Sequence, residues 1–105
     1  MNAERLQKLQ EWEALKPTDA FLKFAIAQEF TSNGQDEDAL PYLELLVEKF
    51  GDYLPTYYQL GKLYERLGKY DNATSTYIQG TEIAKQNKDA KTLRELNEAI
   101  LLIED

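Results

Sequence analysis

Side chains of matching size recur along this chain at a separation of 34 residues. Gly34 and Gly68 lie 34 apart, as do Ala39 and Ala73. At the same offset the small Ala27 falls over Gly61, Phe30 over Tyr64 and Ile26 over Leu60. A chain built this way folds by stacking copies of one unit, each burying the apolar face that its neighbour cannot bury alone. Two copies follow, residues 20–53 (entered through Asp19) and 54–87, in a single domain spanning 1–105.

Each copy reads as a pair of helices. In the first, Phe21, Phe24, Ala25, Ile26 and Phe30 recur at helical spacing. Thr18 is placed to cap that helix, and Asn33-Gly34 to stop it, since glycine readily takes the left-handed conformation past a helix end. The second helix follows the acids Asp36, Glu37 and Asp38, which suit the positive end of a helix dipole. It carries Ala39, Leu40, Leu43, Leu46, Val47 and Phe50. Pro41 belongs in a first turn, so this helix is expected to start near Asp38 or to kink there. In the second copy, Pro55 opens a helix with Tyr57, Leu60, Gly61, Leu63, Tyr64 and Leu67. Gly68 ends it, and a helix from about Asp71 carries Ala73, Tyr77, Gly80, Ile83 and Ala84. Gly80 in mid-helix costs about 1 kcal/mol relative to alanine, which a close helix–helix approach would offset.

The flanks read as parts of further copies. Residues 3–16 form an N-terminal half-repeat helix, with Leu6, Leu9, Trp12 and Leu15 spread over a broad arc. Asp89 is placed to cap a C-terminal capping helix over residues 89–104, with Leu93, Leu96, Ile100 and Ile103 as its buried stripe. Leu102 points the other way, with Leu101 beside it, although a capping helix normally shows a polar outer face. Six helices result.

Charge and composition exclude several functions. Twelve basic and nineteen acidic residues give a net charge of -7, which makes nucleic acid and anionic membrane surfaces poor partners. Residues 1–53 carry eleven acids and five bases, residues 54–105 eight and seven. With no His and no Cys, there are no His-assisted nucleophiles, Cys/His zinc sites or disulfides. Asp36-Glu37-Asp38 lacks the spacing of a calcium loop, and the isolated glycines make no phosphate loop. No metal and no cofactor are expected, and the chain is not read as an enzyme. With no signal-like or membrane-length apolar run, it is expected to be cytoplasmic.

The segment from Tyr57 to Tyr77 resembles a tetratricopeptide repeat. Tyr57, Leu60-Gly61, Tyr64, Gly68, Tyr70, Ala73 and Tyr77 stand at that family's aromatic and small positions. The first copy fits at Ile26, Ala27, Phe30, Gly34, Ala39 and Leu43, while Lys23 replaces the leading aromatic and Leu46 a small residue. The resemblance covers residues 19–87. It implies an all-α fold, a right-handed α-α superhelix of about six antiparallel helices. It also places Tyr57, Tyr64, Tyr70 and Tyr77 in the core.

In that family the first helix of each pair lines a concave groove. The resemblance therefore implies Phe24, Gln28 and Thr31 as partner-binding residues in the first copy. Tyr58, Lys62 and Glu65 correspond in the second, with Gln59 and Arg66 at the margins. Such a face suits a short peptide or a partner helix. The two-carboxylate clamp with which some relatives hold acidic chaperone tails is not expected, because Phe24, Gln28 and Gln59 stand at its places. A second reading is self-association, a possible homodimer, through the end helices, using Trp12, Leu15, Leu101 and Leu102. A third, an enzyme with paired carboxylates, requires two acids of raised pKa in one cleft.

Overall fold

The computed structural model describes residues 3–104. Among them are six α-helices and no strand: α1 (Ala3–Leu15), α2 (Ala20–Ser32), α3 (Asp36–Lys49), α4 (Pro55–Arg66), α5 (Tyr70–Gln86) and α6 (Ala90–Glu104). The fold is an all-α helical repeat. It divides between Tyr53 and Leu54 into two compact units, α1–α3 and α4–α6.

In the first unit α2 packs against both α1 and α3. Leu9, Leu22 and Ile26 form a buried cluster, with Leu6, Ala25, Phe30 and Tyr42 against it. Ala27, Ala39, Leu43 and Leu46 are buried as well. The expected aromatic at position 23 is replaced by a buried lysine. Lys23 Nζ lies 2.5 Å from Glu13 Oε2 on α1 and 5.9 Å from the centroid of the Phe50 ring. A buried ammonium needs such a partner, because desolvating it alone costs several kcal/mol.

In the second unit α5 packs against both α4 and α6. Its helices approach where glycine replaces a side chain. A Cβ on Gly61 would lie 2.1 Å from the Tyr77 ring, and one on Gly80 would lie 2.6 Å from Tyr57 Cβ. Two bulky rings thus fill the space left by two glycines on the facing helix, which is the close approach that Gly80 required. Ala73 and Tyr77 are fully buried.

Three helices end in one hydrogen-bonding pattern. After α2, Gln35 N–H donates to the Phe30 carbonyl (2.8 Å) and Gly34 N–H to Thr31 (3.0 Å). After α4, Lys69 donates to Tyr64 (2.8 Å) and Gly68 to Glu65 (3.0 Å). After α5, Asp89 donates to Ala84 (2.9 Å) and Lys88 to Lys85 (3.1 Å). The middle residue is left-handed each time, with φ 75° at Gly34, 76° at Gly68 and 56° at Lys88. Lys88 does without glycine what the other two positions assign to it.

Four expectations change. The cap of α2 is Asp19, not Thr18: its carboxylate accepts from the N–H groups of Phe21 (3.0 Å) and Leu22 (3.4 Å). Helix α3 starts at Asp36, two residues before the position expected from Pro41. The Gln35 carbonyl accepts from Asp38 and Ala39, three acids sit at the dipole's positive end, and the carbonyl of Glu37 that Pro41 leaves unpaired belongs to an exposed residue. Tyr70 is 56% exposed rather than in the core. It is the first residue of α5, and that helix's buried side chains begin one turn later at Ala73. On α6 the fully buried positions are Leu96 and Ala99, whereas Leu93, Ile100 and Ile103 are only half-buried. That helix has its main support from α5 alone, so the edges of its stripe stay open.

Candidate functional site

The implied partner-binding residues fall on the first helix of each pair, and each unit holds its own set. On α4, Tyr58, Lys62 and Glu65 follow one another at helical spacing and share one face. Lys62 Nζ lies 5.3 Å from the centroid of the Tyr58 ring and 3.7 Å from Glu65 Oε2. The Tyr58 ring is 6.2 Å from that of Tyr77, whose hydroxyl donates to the Glu65 carboxylate. Tyr58, Gln59, Lys62 and Glu65 are half-buried and Arg66 is exposed. Burial, and then the hydrogen bond to Glu65, push the Tyr77 phenol well above its ordinary range. Tyr77 is therefore a neutral donor that fixes Glu65, and Glu65 in turn orients Lys62 over Tyr58.

On α2 the set is less polar. Phe24, Gln28 and Thr31 are all half-buried. The Phe24 ring packs 5.7 Å from that of Tyr53, tilted by 59°. Thr31 donates its hydroxyl to the Gln28 carbonyl (3.0 Å). Burial, with the Asp19 carboxylate as a second cause, raises the pKa of Tyr53.

Neither Tyr53 nor the Tyr77 hydroxyl figured among the residues implied by the resemblance. Tyr77 was legible as core from its place in the repeat. A buried phenol also requires a hydrogen-bond partner, and Glu65, twelve residues earlier on the facing helix, was the clue to it.

The residues expected at the ends are exposed: Trp12 is 52% and Leu15 80% accessible on α1, and Leu101 is 60% and Leu102 68% accessible on α6. Phe21, anticipated as part of an apolar face, is exposed as well. It lines with Lys8, Leu9, Trp12 and Ala25 a cleft of about 440 Å³ beside α1. In the second unit Tyr64, Asn72 and Thr76 line a shallower, polar depression of about 340 Å³.

Among the described residues no three carboxylates gather so as to hold a metal ion. The Asp89 carboxyl is held below its usual range, chiefly by the Thr92 N–H and then by the Thr92 hydroxyl. That is the behaviour of a helix cap, opposite in direction to the raised acid that a carboxylate-pair enzyme requires. No described helix is long and apolar enough to cross a membrane.

Helical pairs with small residues at the crossings, one pair in each unit, define an α-helical repeat protein. The chain belongs to the tetratricopeptide repeat family. A family profile for that repeat matches residues 54–87. The crystal structure of a tetratricopeptide repeat domain protein from Salinibacter ruber is 46% identical over 82% of this chain and 96% of its own, with a TM-score of 0.79. A solution structure of such a domain from the same organism is also 46% identical, over 84% and 89%, with a TM-score of 0.80. A protein from Bordetella parapertussis, 20% identical over 94% of this chain and 86% of its own, shares the fold with a TM-score of 0.80. No protein of curated function matches the sequence.

Proposed function

We propose that this chain is a non-catalytic protein-interaction module that takes a short peptide or a partner helix. The general role of tetratricopeptide repeats as interaction scaffolds supports the class. The observation that carries the reading further is the α4 face, where Lys62 stands over a half-exposed Tyr58 and Glu65 is tied to Tyr77. An aromatic already fixed by its neighbours loses little conformational freedom when a ligand covers it, so more of the contact energy appears as affinity. Lys62, with Gln59 and Arg66 at the margin, selects partners that bring a carboxylate or carbonyl to Tyr58. On α2, Phe24 is the corresponding anchor, flanked by Gln28 and Thr31. The cytoplasm is the compartment proposed, in keeping with a chain that uses no cysteine. The net charge of -7 favours protein over nucleic acid or anionic lipid.

The test is a capture experiment with the immobilised chain and a double variant, Tyr58→Ala with Lys62→Glu. A partner retained by the wild type and lost from the variant, with helicity unchanged by circular dichroism, supports the α4 face. Equal capture by both moves the contact elsewhere on the molecule.

A further inference from the structure

Helix α1 carries an exposed ridge that the α4 reading does not use. Lys8, Trp12 and Lys16 follow one another at i, i+4 and i+8, so they stand one above another along the helix. The helix ends at Leu15, but the Lys16 N–H still donates to the Trp12 carbonyl (2.9 Å), which keeps Lys16 in line. Trp12 lines two depressions of the first unit. One is the 440 Å³ cleft that it shares with Lys8, Leu9, Phe21 and Ala25. The other, of about 230 Å³, it shares with Leu15, Lys16, Asp19 and Leu22. We propose that this ridge docks an acidic amphipathic helix of a partner protein, which sets apolar side chains into the two depressions and a carboxylate at each lysine.

The charges beside Trp12 select the occupant. Five bases lie in residues 1–53, and three of them, Arg5, Lys8 and Lys16, line the two depressions. Arg5 is engaged by Glu29 (2.8 Å). Among the described residues neither Lys8 nor Lys16 has an ion-pair partner. Two carboxylates line the depressions as well. Asp19 is spent on the N–H groups of Phe21 and Leu22, and Glu4 stands one turn before Lys8, on the side away from Trp12. The uncommitted charge on either side of the indole is therefore positive, on a chain whose net charge is -7. Phe21, Trp12 and Leu15 are each more than half exposed, and the buried Leu9 and Leu22 lie beneath them, so a bare anion would leave the apolar surface uncovered.

The spacing sets the pattern of the partner. At 1.5 Å per residue, Lys8 and Lys16 are about 12 Å apart along the axis. A helix laid beside the ridge matches this with acids at i and i+8, and its apolar residues between them enter the depressions as ridges pack into grooves. None of these residues belongs to the α4 face, and failure of either proposal leaves the other standing.

Trp12 is the chain's one tryptophan, so its fluorescence reports on the ridge alone. The probe is a blocked helical peptide of about five turns, with glutamates at i and i+8 and leucines between them on the same face. Titrated into the full chain at low salt, where ion pairs are least screened, it should shift the Trp12 emission to the blue and saturate. The double variant Lys8→Glu with Lys16→Glu should weaken binding about tenfold. A peptide with glutamine for both glutamates should lose as much on the unaltered chain, which tests the charge contact even where the variant fails to fold. A peptide with lysine there should bind more weakly than the acidic one, although general attraction to a chain of charge -7 favours it. Tyr58→Ala with Lys62→Glu should leave the shift unchanged. No shift up to about 1 mM peptide, equal affinity for the glutamine peptide, or an emission that follows the chain's own concentration would overturn the proposal, the last by giving the ridge to a second copy.

Discussion

At the scale of single residues, the second unit depends on two side chains that are missing. Gly61 and Gly80 admit the rings of Tyr77 and Tyr57, and a methyl group at either position meets ring or backbone-proximal atoms well inside contact distance. Gly61→Ala gains about 1 kcal/mol of helix propensity yet loses more to overpacking, commonly 1–3 kcal/mol. The expected outcome is a lower urea midpoint at unchanged m-value; a stabilised variant would show that Tyr77 has room to move. Tyr77 also gives a pH dependence with a definite sign. Its pKa in the folded state is raised above the unfolded value of 10.0, so the unfolded chain releases that proton first. The associated stability is complete below that pH and is lost as pH rises beyond it. Urea titrations on either side of pH 10 should show stability falling, and Tyr77→Phe should make the fall shallower. An equal slope in the variant would assign the fall to other groups.

At the scale of the helix, the repeat was readable wherever a position demands a residue type. Gly34 and Gly68 mark helix ends because the left-handed turn excludes most other side chains. Ala39 and Ala73 stand at matching places of the two copies, and both are fully buried. What escaped reading depends on partners far along the chain. Lys23 looks like a failed aromatic until Glu13, ten residues earlier on another helix, supplies its counter-charge. Thr18 and Asp19 are both good caps, and the choice between them rests on one residue of helix register that composition does not encode. Tyr70 fits the family pattern but lies at the solvent edge of its helix. The Lys88 turn yields a prediction of its own. A side chain in the left-handed region costs roughly 1–2 kcal/mol, and Lys88 takes φ 56° after α5. Lys88→Gly should raise the thermal midpoint by relieving that turn. A lowered midpoint would mean that the added freedom of the unfolded glycine outweighs the relief.

At the scale of the whole molecule, each of the two units holds its own first-helix side chains in place for a partner to meet. The sequence brought the implied contact residues to the first helix of each pair, but not the link from Tyr58 through Lys62 and Glu65 to Tyr77, which arises only when α4 and α5 pack. The direct measurement is amide chemical-shift mapping on the isotopically labelled full chain, titrated with the partner recovered by wild-type capture. The largest shifts are expected on α4 at Tyr58, Lys62 and Glu65, spreading to Tyr77. Shifts confined to the outer face of α5 around Ile78, with α4 undisturbed, would contradict a partner site on α4.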